Sequence, residues 1–322
     1  MVEEFTCETG AVAAAAVDAG SVAGAAVAVD DVADALVVAG SASVTAPRAS
    51  DAEGFVRAMP DETYSLTVSY NGAPFNGFAR QPGQCTVQGE LEQALSLVFH
   101  RPVEVVCSGR TDAGVHALGQ VVSFDLNAGE LGGRTLHSLR RSLNALTHEG
   151  ITVRAVEQRE AGFSARFDAR WREYHYHICT GDVPPLFMRD FCWQVTAPLD
   201  FEAMRRGAEY LVGEHDFKSF CMAASAVGKP TRRNVIELSL AREIVMGEDV
   251  LTIKVVGNAF LHSMVRTIVG TLVEVGTHRR EPTWVDEVLA ACDRQAAGPT
   301  APACGLCFMA VEYDEGTLAR AE

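Results

Sequence analysis

TYSLTVSY, residues 63–70, alternates in polarity so that Leu66, Val68 and Tyr70 share one face, the period of a half-buried β-strand. Asn71-Gly72 behind it supplies a turn. Downstream, TVQGELEQALSLVFH (86–100) sets Leu91, Leu95 and Val98 on one helical stripe. PVEVVC (102–107) and GQVVSFDL (119–126) read as strands on either side of a glycine-bearing loop. RTLHSLRRSLNALT (134–147) is a second helix with Leu136, Leu139, Leu143 and Leu146 inward, followed by the strand ITVRAVEQ (151–158). This order, βαββαβ, is the ferredoxin-like arrangement. REYHYHI (172–178) opens a second half with a helix at 201–211, strands at 234–242 and 250–256, helices from Asn258 and Pro282, and a closing strand CFMAVEY (307–313). Two such α+β halves, 63–168 and 169–322, can join strand edges into one long sheet and leave a cleft between helices or loops.

A chain of 322 residues suits two domains of ordinary size. Its front is different in texture: from residue 11 to 40, 21 of 30 residues are Ala or Val. Residues 1–62 hold 11 acids against 2 Arg and are expected to be a disordered, low-complexity acidic extension. Asp18, Asp30, Asp31 and Asp34 break the apolar run short of the ~18 residues a membrane span needs, and the start is acidic, so neither signal peptide nor membrane anchor is expected. The net charge of -15 is therefore mostly frontal, leaving 31 acids against 25 bases in the rest. Of the 27 basic residues all but Lys218, Lys229 and Lys254 are Arg, whose planar fork grips phosphate. Salt screens fields beyond ~10 Å, so a local basic groove can bind nucleic acid on an acidic protein.

Nine scattered cysteines, an odd number, read as reduced thiols of a cytoplasmic protein. The single CxxC, Cys304 to Cys307, is half a metal site at most. His116, His175, His177 and His262 fall in no HExxH or paired Cys/His array, and no metal is expected.

Chemistry concentrates in Gly109-Arg110-Thr111-Asp112-Ala113-Gly114-Val115-His116-Ala117, a polar loop between two apolar strands. Gly109 and Gly114 can take backbone angles closed to other residues and so present Asp112 at a tight turn. Four of these residues alone read equally as an Asx-turn, the carboxylate merely serving nearby amides. Arg266 stands in a helix crowded with Phe260, Met264, Val265, Ile268, Val269 and Leu272, where a guanidinium needs a partner unless it snorkels to solvent. In REYHYHI, Arg172, Tyr174 and Tyr176 share one strand face and Glu173, His175 and His177 the other.

Taken together, the nine-residue loop, YNGAPFNGFARQ (70–81), FSARFDARWREYHYHI (163–178), GEHDFKSF (213–220), RRNV (232–235), NAFLHSMVRTIVGTLVEVG (258–276) and GLCFMAVEY (305–313) resemble, in order, the tRNA pseudouridine synthase A family. The chain departs from that pattern at Asn71, Phe78, Ala79 and Cys307. The resemblance implies the pseudouridine synthase fold, two ferredoxin-like α+β halves sharing an extended, mostly antiparallel sheet with a central cleft. It implies a cofactor-free homodimer that isomerises uridine in the anticodon stem-loop of tRNA, at positions thirty-eight to forty.

By the same resemblance Asp112 is catalytic, Tyr174 stacks on the target base, and Arg266 holds and aims the carboxylate. Arg110 and Arg166 contact phosphates or fill the space of the extruded nucleotide. Lys229, Arg232, Arg233, Arg140 and Arg141 are further candidates for contacts to the RNA backbone. One carboxylate suffices, because uracil is an acceptable leaving anion that never departs, so no second acid is obligatory. The rival readings are a tRNA-binding module without catalysis and a nucleoside hydrolase.

Overall fold

The computed structural model describes residues 59–313. The expected extension, apart from its last four residues, lies outside them.

Strand β1 (Glu62–Tyr70) is flanked on both sides, by β3 (His116–Leu126) with Leu66 opposite Val122 and by β4 (Ile151–Arg159) with Leu66 opposite Val156. That central place explains why its polar Thr63, Ser65 and Ser69 are buried with Leu66 and Val68. Helix α1 (Val87–Phe99) starts at Thr86, whose hydroxyl accepts from the Gly89 amide at 3.2 Å, and stops at His100 in the left-handed region. Leu91, Leu95 and Val98 are buried. In α2 (Leu136–Leu146), Leu139 and Leu143 are fully buried, but Leu146, expected inward, is the helix's last residue and is exposed.

The strand expected over residues 102–107 shrinks to β2 (Val106–Cys107), paired with β3. Side chains take the missing ladder donors: the Val103 amide donates to Ser96 and the Val105 amide to Glu92, at 3.3 and 3.2 Å.

The later elements are β5 (Trp171–Thr180), β6 (Trp193–Val195), α3 (Phe201–Glu209), β7 (Gly213–Asp216), α4 (Ala223–Ala226), β8 (Arg232–Val245), β9 (Glu248–Gly257), α5 (Met264–Gly276), α6 (Trp284–Ala291) and β10 (Leu306–Glu312). The helix expected from Asn258 begins six residues later. The Asn258 side chain accepts from the amides of Asn234 and Ala259, and Ser263 turns into the left-handed region, so 258–263 is a loop.

The sheet runs β4-β1-β3-β10-β5-β9-β8-β7, with β2 beside β3 and β6 beside β5. All its pairings are antiparallel except β10 with β3 and β5 with β6. Among the described residues no helix is long and apolar enough to cross a membrane.

Candidate active site

The loop from β2 to β3 is fastened from beneath by buried polar groups. The Gln120 amide donates to the Gly109 carbonyl at 2.6 Å while its carbonyl oxygen accepts from Ser108, and the Tyr70 and Thr111 hydroxyls pair at 2.8 Å. The Phe78 amide donates to the Thr111 carbonyl at 3.0 Å. Within the loop the Val115 amide closes a turn on the Asp112 carbonyl, and Gly114 supplies the required φ of +79°. Gly109 does not use positive φ; it serves by being small, since a Cβ there would lie 3.3 Å from the Phe308 ring and 3.4 Å from the Tyr174 hydroxyl.

No local amide donates to the Asp112 carboxylate, which removes the Asx-turn reading. Its partners come instead from the start of α5: Arg266 Nη1 donates to Oδ2 at 2.8 Å and Ser263 Oγ to the same oxygen at 2.9 Å. His262 Nε2 lies 3.4 Å from Oδ1, and its Nδ1 pairs with the Ser225 hydroxyl at 2.9 Å. The Arg266 guanidinium is itself fixed, because Nε donates to the Ala301 carbonyl at 2.8 Å. With side-chain exposures of 26% for Asp112 and 18% for Arg266, the pair is sheltered enough to be strong yet open to a reactant.

Tyr174 is buried beside this loop, edge-on to Phe260 and Phe308 at ring separations of 5.1 and 4.9 Å. Burial, with Tyr70 and Asp112 adding to it, holds its phenol far above the ordinary value, so no phenolate is available near neutrality. Arg110 and Arg166 are exposed, and both lie near the Cys107 thiol, which burial pushes up to about 11 against the pull of these two cations. The Arg166 guanidinium also lies over the Phe167 ring at 5.3 Å.

The five further basic candidates do not touch Asp112. Lys229 and Arg141 are exposed, Arg140 donates to the Arg154 carbonyl, Arg232 pairs with Glu214 at 3.0 Å, and Arg233 donates to the Pro230 and Arg232 carbonyls.

Three contributors carried no signal in the sequence. Ser263 and His262 reach Asp112 only because the backbone turns left-handed just before α5. Buried Arg172 bonds the carbonyls of Ser108, Arg166, Ala169 and Asn258, clamping the segments on either side of the carboxylate. A cavity of about 750 Å³ among the described residues does not include Asp112; it is lined by Ser69, His116, Arg154, His177 and Phe191 among others. Among the described residues no group of three or more His, Cys, Asp or Glu is placed to hold a metal, and every described cysteine is unpaired.

A family model described as tRNA pseudouridine synthase matches residues 66–168 and 208–314, spans that include Asp112 and Arg266. A protein named tRNA pseudouridine synthase A from Brevibacillus brevis is 46% identical over 247 residues, covering 76% of this chain and 97% of its own. Proteins of the same name from Bacillus subtilis and Thermotoga neapolitana are 41% and 40% identical, covering 77% and 76% of this chain and 98% and 97% of theirs. A match of that breadth at that identity settles the kinship: the chain belongs to the tRNA pseudouridine synthase family.

Proposed function

We propose that this protein isomerises uridine to pseudouridine in the anticodon stem-loop of tRNA, at positions thirty-eight to forty, with Asp112 as the catalytic residue. The observation that carries the reading is the Asp112 carboxylate itself, half-sheltered at a loop tip and gripped by Arg266 and Ser263 rather than by its own turn. A carboxylate so held can meet the ribose C1' as the N1 to C1' bond breaks. Fixed donors stabilise its charge before and after that step without reorganising. The uracil turns, C5 bonds to C1', the C5 proton leaves and N1 gains one, so no electrons are exchanged with a cofactor.

Arg110 and Arg166, exposed beside the loop, are suited to backbone phosphates or to the gap left by the extruded nucleotide. Tyr174 is the stacking surface for the base, reached by displacing part of its aromatic packing with Phe260. Its phenol stays protonated, which suits a stacking role rather than a basic one. Lys229, Arg232, Arg233, Arg140 and Arg141 would add phosphate contacts at the periphery.

The reading includes a cytoplasmic homodimer. Unpaired cysteines fit a reducing compartment, and exposed Leu118, Val183, Leu186, Phe187 and Phe191 offer apolar surface for a second copy. Sedimentation of the purified protein tests the dimer. Incubating unmodified tRNA with wild type and Asp112→Asn tests the chemistry: pseudouridine should form only with the aspartate. Free uracil would mark a hydrolase, and no product from either would mark a binding module.

A further inference from the structure

We propose that His262 is a positioning residue for the reaction, holding the second oxygen of the Asp112 carboxylate and tying it to the segment that carries Ser225 and Lys229. The inference rests on the pseudouridine-forming reading and adds to it a residue outside the aspartate, tyrosine and arginine set.

The geometry has three parts. Arg266 and Ser263 both hydrogen-bond Oδ2, and among the described side chains it is His262 that stands beside Oδ1, its Nε2 at 3.4 Å, within ion-pair distance but without a hydrogen bond. Held at Oδ2 alone the carboxylate can tilt about that oxygen, and an imidazole beside Oδ1 limits the tilt. At 3.4 Å the approach is a charge proximity rather than a hydrogen bond, so it yields readily when a ribose carbon approaches.

The partners constrain the ring. A carboxylate only accepts, so it is a proton on Nε2 that faces Asp112 favourably, and Nδ1 pairs with the Ser225 hydroxyl at 2.9 Å. Ser225 thereby keeps the Nε2 edge of the imidazole toward Asp112.

Third, His262 is not a core histidine. Its side chain is 43% exposed, while neighbouring Met264 and Val265 are buried. The Met222 amide also donates to the His262 carbonyl at 3.2 Å, so the segment through α4 is attached at two points, and Lys229 lies just beyond it. A phosphate drawn to Lys229 and a ribose drawn to Asp112 are thus referred to one shared residue.

The experiment uses the full chain and unmodified tRNA labelled with tritium at uridine C5, following its release. Variants are His262→Ala, His262→Gln, Ser225→Ala and the His262→Ala/Ser225→Ala pair, with Asp112→Asn as reference and thermal unfolding to report folding. His262→Ala should lower kcat by about tenfold or more with KM within about twofold, the sign of an interaction used in turnover rather than binding. His262→Gln, whose amide can reach the same oxygen, should recover most of the loss. Ser225→Ala should have a smaller effect that vanishes in the His262→Ala background. An unchanged kcat in His262→Ala, a loss confined to KM, or a Gln variant no better than Ala at equal stability would each overturn the proposal. If wild type itself releases no tritium, the functional reading fails first, a result distinct from all of these.

Discussion

Arg266 Nη1 stands 2.8 Å from Asp112 Oδ2 although 154 residues of chain separate them. The guanidinium is held by the Ala301 carbonyl on its other edge, so Lys cannot replace both contacts. Arg266→Ala should lower kcat about 100-fold, matching the roughly 3 kcal/mol lost when one partner of a sheltered pair is removed. Arg266→Lys should restore part of it. Tritium release at saturating tRNA reads both.

Arg172→Met should destabilise the fold by about 3 kcal/mol, because carbonyls of Ser108, Arg166 and Asn258 lose their donors together. Urea unfolding measures this, and a midpoint equal to that of wild type would show that water replaces the clamp.

Gly270→Ala tests how rigidly α5 is seated. A Cβ there would lie 1.8 Å from the Pro299 carbonyl oxygen, and residue 301 provides the carbonyl that fixes Arg266. The helix must shift, at a cost of about 1 to 3 kcal/mol. The melting temperature and kcat should fall together.

Arg110→Ala and Arg166→Ala should raise KM more than they lower kcat. Each should also reduce the slope of log binding constant against log salt by about one phosphate contact. Filter binding of tRNA at several salt concentrations checks this. An unchanged slope would assign both residues to the extruded-nucleotide gap instead.

Acid stability should depend on Glu130, whose carboxyl lies below the ordinary carboxylate range because Arg101 donates to it, Nη2 at 2.6 Å from Oε2. In the unfolded chain this group titrates near the usual value of about 4.3. The unfolded state therefore takes up its proton first as pH falls. The contribution is complete above that value and disappears as pH drops through the lower folded one. Urea midpoints at pH 3.5 and pH 6 should differ less in Glu130→Gln than in wild type. Arg101 is partly exposed, so the difference is modest.

The parts of the fold read directly from the sequence are those whose side-chain period matches their burial. The alternation of β5 and the stripe of α1 appear in the structure as expected because each packs against one continuous core, whereas β1, read as half-buried, is buried on both faces. The strand expected over residues 102–107 is cut to two residues because Ser96 and Glu92 take the Val103 and Val105 amides, which periodicity does not register. Asp112 stood out only as one of nine residues matching a family loop. Its contact with Arg266 is an expectation of that resemblance, and the hydrogen bond is seen. Ser263, His262 and Arg172 were hidden for a different reason: a left-handed backbone step and a set of carbonyl acceptors arise from tertiary placement, and neither leaves a pattern along the chain.

Because β10 lies between β3 and β5, it is the strand that completes the sheet, and it follows every other described element in the chain. Translation proceeds from the amino end, so a growing polypeptide presents its Asp112 loop long before Phe308 arrives to back Gly109 and Tyr174. A polypeptide still short of residue 306 therefore lacks the strand that joins the Asp112 side of the sheet to the Tyr174 side. Nonsense fragments ending before residue 306 would lack that join.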